Sequence, residues 1–222
     1  MLKKLIQYIN ERREKRWDEK AREMSATLLQ ARLVERFGPS QNELVLKFFK
    51  GEDDSRIPYS IDRVAEFTDD EMEMYHDFIQ WVYPTIKPSH FHPDAPTIDA
   101  DFVHMLEYNE CAYHNYCRSC KRYLHYLNFE CKGNGEILLQ AGSKASVEEH
   151  AKDFYYLPGH NYLRITRALE SLRDTGHTKC SQRLYAALMH SLRFAPAHWV
   201  SPMTLAFWKN TQTDMNNSVK SL

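Results

Sequence analysis

The sequence of 222 residues has little glycine and almost no net charge, with seven glycines and a formal charge of -1 at pH 7. A fibrous or low-complexity protein has far more glycine or proline than this. A nucleic-acid-binding domain usually has an excess of basic residues on one face, so the charge gives no reason to expect DNA or RNA as a partner. Hydrophobic residues make up 43% of the chain, which predicts a globular domain with its own core.

Long hydrophobic runs are missing as well. No stretch reaches the roughly 18 apolar residues of a transmembrane segment, and the charged run Glu11–Arg22 directly follows the broken apolar start, so a secretory signal is not expected. The chain has five cysteines, an odd number, in a domain large enough to fold without disulfides. This indicates reduced thiols and predicts a cytoplasmic protein.

Residues 1–40 are predicted to form an N-terminal helical arm. Apolar side chains recur at helical spacing at Leu2, Leu5, Ile6 and Ile9, and Gly38-Pro39-Ser40 ends the helix. The arm has three open roles, which are packing on the domain, docking on a protein partner, and peripheral contact with a membrane surface. For the last role, the first 22 residues hold eight basic and four acidic side chains, a mildly cationic balance.

The rest of the chain is predicted to be all-α, a single compact irregular helical bundle at 44–210 followed by a flexible tail at 211–222. Helices are predicted at 68–83, 99–130, 161–174, 179–194 and 201–210, with Thr68 and Glu71 as a capping box. The apolar run at 44–50 fits a helix or a strand, and 136–140 fits a short strand. Four prolines make 84–97 an irregular, extended internal linker.

A narrow polar stripe marks the predicted helix at 72–83. Its other residues are apolar nearly all round, which predicts a buried helix. The stripe consists of Glu73, His76, Asp77 and Gln80, at positions i, i+3, i+4 and i+7 on one face. Burying polar groups costs free energy unless each finds a partner, so the stripe must face water, a ligand or complementary groups.

The start of the helix at 161–174 carries such complementary groups. They are His160, Asn161, Arg164 and Arg167. Backbone N–H groups at a helix start favour anions, and two arginines bind a carboxylate or phosphate through paired hydrogen bonds. Alternatively, the arginines pair with Glu73 and Asp77 and simply join two helices, or the segment belongs to a catalytic site. The predicted ligand-binding set is Glu73, His76, Asp77, Gln80 and Trp81 on one wall and His160, Asn161, Arg164 and Arg167 on the other.

Two segments resemble the conserved region of the opioid growth factor receptor family. Met74–Pro84 is similar to the family segment in which His is followed by Ile-Gln-Trp and an aromatic-Pro pair, and His160–Leu169 is similar to its His-Asn-x-Leu-Arg-Ile-Thr-Arg stretch. Weaker likenesses are Phe48–Gly51, Phe91–Ile98 and Trp199–Trp208. Together these segments span about residues 44 to 210.

The resemblance implies a receptor-like domain that binds a peptide or small anionic ligand in signalling, without catalysis and without a cofactor. The family is named for animal receptors of the opioid peptide Met-enkephalin. Two alternatives stay open beside it. One is a small enzyme acting on a phosphorylated or nucleotide-like substrate, with His76 or His160 as acid-base; the other is an interaction scaffold that works through the N-terminal helix.

Cysteine spacing raises the question of a metal site. Cys117 and Cys120 have the spacing of a zinc-binding pair, but they lie in an aromatic-rich helical run with no second pair of this kind. On a helix they share a face, and cysteine packs as a small apolar residue. We therefore predict core packing for both thiols and no bound metal.

Overall fold

The computed structural model divides the chain into two units, Met1–Ser40 and Gln41–Leu222. The structure describes residues 39–89, 91–133, 135–139, 160–194 and 200–212. Before these it describes Leu28, Ala31, Arg32, Val34 and Glu35, which are helical and exposed. Most of the predicted arm at 1–40 and residues 213–222 of the predicted tail lie outside the described residues, so both stay predictions.

The second unit is mostly helical, as the sequence predicts. Within the described residues its α-helices are α1 Asn42–Lys50, α2 Ile61–Ala65, α3 Asp69–Met74, α4 Phe78–Val82, α5 Asp101–Glu107, α6 Glu110–Tyr126, α7 His160–Asp174, α8 Thr178–Ser191 and α9 Pro202–Asn210. Two short strands, β1 Phe129–Cys131 and β2 Ile137–Leu139, pair antiparallel between α6 and α7. A 3-10 turn, Leu192–Phe194, extends α8.

The apolar run at 44–50, whose sequence fits either a helix or a strand, is a helix. Its buried residues are Leu44, Val45, Phe48 and Phe49, which share one face of α1. Gly51 ends the helix in the left-handed conformation (φ 73), and its N–H bonds the carbonyls of Lys47 and Phe48. Glycine adopts this conformation at low cost, which explains the sharp helix end.

The helix predicted at 68–83 begins where expected but is not continuous. The Thr68 hydroxyl accepts from the Glu71 N–H at 3.2 Å, and the Glu71 carboxylate accepts from the Thr68 N–H at 2.9 Å, so the predicted capping box is confirmed. Tyr75 then adopts an extended conformation (φ -88, ψ 130), which ends α3 and separates it from α4. The prediction of one helix up to Tyr83 was therefore wrong. The break lets the Tyr75 ring pack 5.2 Å from that of Phe67.

The helix predicted at 99–130 is likewise two helices. The Asn109 side-chain oxygen accepts from the Ala112 N–H at 2.9 Å and so caps a new helix start. Asparagine competes with the helical backbone for hydrogen bonds, which favours a start at this position over continuation. The long helix α6 then runs to Tyr126.

The proline-rich segment at 84–97 contains no α-helix among its described residues, as predicted. Its two ends meet in a parallel bridge between Thr85 and Thr97, and the Ile98 N–H donates to the Thr85 carbonyl at 3.2 Å. The Gln41 N–H donates to the Thr97 carbonyl at 2.7 Å, which ties the segment to the start of α1.

The short strand predicted at 136–140 is present as β2, but its partner β1 was not predicted. The turn between them closes where the Gly135 N–H donates to the Lys132 carbonyl at 2.8 Å. Gly135 has φ 76, a conformation that suits glycine.

Helix α6 lies at the centre of the core and contacts α1, α2, α3, α4, α5 and β1. Its aromatic side chains interlock with rings from those elements. Tyr116 meets Phe49 edge to face at 5.3 Å, and Tyr123 meets Tyr83 at 5.4 Å and Phe78 at 6.4 Å. Such edge-to-face contacts add to the stabilisation from burying the rings.

Helices α8 and α9 both pack on α7, and all three helices add buried residues to the same core. The Trp208 ring is fully buried, and its Nε1–H donates to the Thr166 hydroxyl at 3.0 Å. The Ser181 hydroxyl donates to the Leu169 carbonyl at 3.0 Å, which joins α8 to α7. Thr211 and Gln212, the first residues of the predicted tail, contact Trp208 through hydrogen bonds to its carbonyl.

Candidate functional site

Arg164 on α7 connects that helix to the break between α3 and α4. Its Nη1 donates to the Met72 carbonyl at 2.8 Å and its Nη2 to the Tyr75 carbonyl at 2.6 Å. Nη1 also lies 3.3 Å from the Asn161 side-chain oxygen, and Nη2 lies 2.8 Å from His76 Nδ1. The side chain is only 4% exposed, and its guanidinium lies 5.6 Å from the centre of the Phe78 ring.

These contacts explain why the helix break is stable. Ending α3 at Met74 leaves backbone carbonyls without partners inside the helix, and a buried carbonyl without a partner costs free energy. The guanidinium supplies two of the missing donors. Each of the four terminal N–H groups of Arg164 faces an acceptor when His76 Nδ1 is the unprotonated ring nitrogen. A ligand carboxylate would have to displace one of these acceptors to bind Arg164.

Glu73 and Asn161 meet in the same region, joined by Tyr126 from α6. The Tyr126 hydroxyl donates to the Glu73 carboxylate, and the Asn161 Nδ2 lies 3.3 Å from the same carboxylate oxygen. Burial and the Glu73 carboxylate together raise the pKa of Tyr126, which keeps its hydroxyl a proton donor. The three residues form a polar network from three helices.

Asp77, Gln80 and Trp81 do not share a face with Glu73, because the helix is broken between them. Asp77 accepts from the Tyr59 hydroxyl at 3.0 Å, and burial with this bond raises the Tyr59 pKa to about 12. Gln80 is buried. In the amide orientation that satisfies its hydrogen bonding, the side-chain nitrogen donates to the Asp77 backbone carbonyl at 2.8 Å. Trp81 is also buried, 5.6 Å from the Phe48 ring.

Of the two predicted histidines, the structure describes the side chain of His76 and not that of His160. His76 is exposed and lies at the break, with Nδ1 toward Arg164. His160 begins α7, but its side chain lies outside the described residues. An arrangement of these two imidazoles within reach of each other, as an acid-base mechanism needs, therefore stays a prediction.

Arg167 lies one helical turn beyond Arg164 and has a different environment. Its Nε donates to the Tyr83 carbonyl at 2.8 Å, at the end of α4. The side chain is half-buried, and burial lowers its pKa to about 10. Among the residues that the structure describes, no acceptor lies within hydrogen-bond distance of its Nη1 and Nη2, and no carboxylate forms an ion pair with it. Arg167 therefore keeps a half-buried positive charge, on which the nearby carboxylates of Glu170 and Asp174 act, and its terminal N–H groups have no described hydrogen-bond partner.

Charged side chains continue along α7 from Arg167. Asp174 is buried; it accepts from Arg173 Nη2 at 2.9 Å and from the Ile86 N–H at 3.2 Å. Burial raises the pKa of Asp174, and Arg173 opposes this. Glu170 is half-buried, and its pKa is raised first by burial and then by the nearby Asp174 charge. These contacts hold the start of the proline-rich segment against α7.

The family described as the opioid growth factor receptor (OGFr) conserved region matches residues 39–215. The chain belongs to this family. No curated protein and no solved structure matches the chain. The conserved region therefore covers α1 to α9, including both walls of the predicted site.

Within this family region the structure brings part of the predicted set together. The residues that meet are Glu73, His76, Asn161 and Arg164. The side chains of Gln80 and Trp81 are buried in the core. Asp77 accepts from the Tyr59 hydroxyl, and Arg167 donates to the Tyr83 carbonyl at the C-terminal end of α4. The alternative was that the arginines pair with Glu73 and Asp77. In the structure Arg164 and Arg167 instead donate to backbone carbonyls.

Sequence reasoning missed several partners of the site. Nothing in the sequence singled out Tyr126, because a tyrosine in an aromatic-rich run is expected to pack in the core, or Tyr59, which directly follows a turn-rich loop. Backbone carbonyls at a helix break have no side-chain signature at all. Asp174 was detectable, because it lies seven residues beyond Arg167 and so on the same face of α7.

The paired cysteines pack with the core. Cys120 is buried and Cys117 half-buried, and burial raises the pKa of both thiols. All five cysteines are free thiols. In the described part of the chain, no three His, Cys, Asp or Glu side chains are arranged to hold a metal ion. In the same part, every helix is too short or too polar to cross a membrane.

Proposed function

We propose that the family region is a receptor-like signalling domain that binds a peptide or small anionic ligand without catalysis, and that Arg167 contacts the anion. The observation that carries this proposal is the state of Arg167. Keeping a charge half-buried without an ion pair costs free energy, and a carboxylate would offset that cost. Perturbed charges of this kind are concentrated at functional sites.

The charged groups around Arg167 are of both signs. Lys87 and Arg173 lie close enough to act on Glu170 and Asp174, so the group has three basic and two acidic members. One of the two carboxylates, Asp174, already has hydrogen bonds from Arg173 and Ile86. Counted with Arg167 itself, the group has one excess positive charge, although the carboxylates of Glu170 and Asp174 both act on Arg167 and raise its pKa.

The sequence proposed a ligand contact for both Arg164 and Arg167, and the present proposal keeps it for Arg167 alone. In this proposal Arg164 holds the helix break, while Glu73, His76 and Asn161 form a neighbouring polar wall. A peptide is the favoured ligand because the namesake of the family is a receptor of a peptide growth factor. The cytoplasm is the proposed location, supported by the five free thiols. A protein or membrane partner for the N-terminal helix remains a separate proposal.

Calorimetric titration with Met-enkephalin tests the function. We expect saturable heat with the wild-type protein and at least about tenfold weaker binding in Arg167→Gln, since a charge-assisted hydrogen bond contributes roughly 1.5–3 kcal/mol. Arg193→Gln, which changes an exposed arginine of the 3-10 turn, is the matched control and should bind like the wild type. Absence of saturable heat with the wild-type protein contradicts the proposal.

A further inference from the structure

Three of the five thiols lie together outside the candidate site, although they come from three different elements. Cys117 is on α6, Cys131 is the last residue of β1, and Cys180 is in the first turn of α8. All three are half-buried, and each is close enough to the other two for their charges to interact. A single cysteine usually packs as a small apolar residue, whereas thiols that share one place can react with one another.

The packing of α8 on the β-hairpin brings Cys180 towards Cys131. Strand β2 contacts α8, and Cys131 pairs with Ile137 of β2 in the antiparallel register. Arg183, one turn after Cys180, has its guanidinium against Gly135 in the turn of the hairpin, so closely that a Cβ atom at Gly135 would overlap it. The face of α8 that carries Cys180 and Arg183 therefore meets the hairpin.

Cys117 is the less suitable partner for Cys180. It lies in the middle of the long helix α6, and its thiol is beside the Tyr113 hydroxyl. Cys131 and Cys180 are instead at or near the ends of their elements. The backbone adjusts more readily there, and a disulfide requires a specific separation and orientation of its two residues.

We infer that Cys131 and Cys180 are a reversible oxidation site, at which hydrogen peroxide converts the two thiols into a disulfide that joins the hairpin to α8. This site is separate from Arg167 and from the break between α3 and α4, so it does not depend on the proposed ligand. A disulfide in a protein with otherwise reduced thiols is typical of redox sensing.

The oxidation has two steps. The Cys131 thiolate first attacks a peroxide oxygen, the O–O bond breaks, and Cys131 becomes a sulfenic acid. The Cys180 thiolate then attacks this sulfur, the S–S bond forms, and the S–O bond breaks. Each hydroxide that leaves takes up a proton released by a thiol. Two thiols thus lose two electrons in total, and one hydrogen peroxide is reduced to two waters.

The charges around the pair set the order of these steps. Burial first, and then the negative charge of Cys131, raise the pKa of Cys180, whereas Arg183 lowers it. Cys180 therefore stays protonated while Cys131 is a thiolate. Conversion of Cys131 to a neutral sulfenic acid removes the repulsion, and Arg183 then favours the Cys180 thiolate that completes the disulfide.

Peroxide treatment of the full chain tests the inference. The reduced protein is treated with hydrogen peroxide, its remaining thiols are alkylated, and an unreduced digest is analysed by mass spectrometry. We expect a linked Cys131–Cys180 peptide that dithiothreitol removes. The oxidised protein should melt about 5–10 °C higher, because the disulfide constrains the unfolded chain. A disulfide that uses Cys117, or no disulfide within the chain, overturns the inference.

Serine variants assign the reaction to its residues. Cys131→Ser and Cys180→Ser should each lose the linked peptide and the rise in melting temperature. In Cys180→Ser the sulfenic acid at Cys131 should persist and be trapped by dimedone. Cys111→Ser removes an exposed thiol outside the pair and should behave like the wild type. A rise in melting temperature that survives in either variant of the pair contradicts the assignment.

Arg183→Gln keeps both thiols and tests the second step. We expect the disulfide to form at least about threefold more slowly at pH 7, with more sulfenic acid trapped at Cys131. Arg183→Lys keeps the positive charge and should restore most of the rate. Circular dichroism checks that each variant is folded. An unchanged rate in Arg183→Gln, or sulfenic acid trapped at Cys180 instead, overturns the proposed order of steps.

Discussion

The Nη2 of Arg164 donates to the Tyr75 carbonyl at 2.6 Å, across 89 residues of sequence. This bond and its companion to the Met72 carbonyl hold α7 against the point where α3 ends. Arg164, one of the two arginines that the sequence analysis assigned to a ligand, thus completes the backbone hydrogen bonding of the fold. Arg167, three residues further along α7, is the arginine that we propose contacts the anion.

The substitution Arg164→Ala should destabilise the protein severely. It leaves the buried Met72 carbonyl and the half-buried Tyr75 carbonyl without these donors, and each lost hydrogen bond to a charged group costs about 1.5–3 kcal/mol. We expect the free energy of unfolding to fall by about 3 kcal/mol or more in urea titrations. Arg193→Ala is the control and should change it by less than about 0.5 kcal/mol. A stable Arg164→Ala protein would show that the break in the helix does not depend on this side chain.

Removing the capping box should weaken the start of α3. Thr68→Ala loses the hydroxyl that accepts from the Glu71 N–H, and such caps contribute about 1 kcal/mol. Thr68→Ser keeps the acceptor and should retain most of the stability, so the pair of variants separates the hydroxyl from the methyl group. Thermal unfolding followed by circular dichroism measures both. Equal melting temperatures for the two variants would contradict the assigned role.

The carboxyl of Glu170 should make stability fall as the pH rises. Its pKa in the folded state is raised above the value of 4.5 that applies to the unfolded chain. Between these two values the folded state binds more protons, so the free energy of unfolding decreases with increasing pH. Glu170→Gln removes this decrease and should be the more stable protein at pH 7, by a few tenths to about 1 kcal/mol.

Urea unfolding of both proteins between pH 4.5 and pH 7.5 measures the effect. Glu66→Gln changes an exposed carboxylate and should leave the pH dependence as in the wild type. A steeper slope in Glu170→Gln would mean that the carboxylate stabilises the folded state.

The five thiols should react with iodoacetamide in the order of their exposure. Cys111 is exposed and should be alkylated first, whereas Cys120 is buried with a raised pKa and should react only on unfolding. The thiolate is the reacting form, and burial disfavours it. Mass spectrometry of digests taken at intervals gives the rate at each site. Early labelling of Cys120 would show that the core around α6 opens readily.

The sequence predicted the helices at 161–174, 179–194 and 201–210 because their apolar residues recur with helical periodicity and the ends carry recognisable signals. It failed at Tyr75 and Asn109, where a continuous pattern hides a break. The pattern of apolar residues reports which residues become buried. It gives no information about Arg164, which lies 89 residues away and lowers the free-energy cost of a helix break at Tyr75.

The residues of the candidate site were likewise predicted only in part. Residue types and spacing were enough to single out Glu73, His76, Asn161 and Arg164, which do come together. The same reasoning placed Gln80 and Trp81 with them, because it assumed that one unbroken helix carries all of these side chains. Because the helix is broken, the residues before and after the break belong to two separate helices. The spacing of one regular helix then no longer predicts which of their side chains share a face.

The sequence by itself determined the helical class, the family, the capping box at Thr68 and the irregular proline-rich segment, because each depends on residues that are near one another in the chain. Only the tertiary structure decided which arginine has donors left for a ligand. That depends on which carbonyls remain unpaired after α3, α4 and α7 pack together, and a backbone carbonyl looks the same at every position of a sequence.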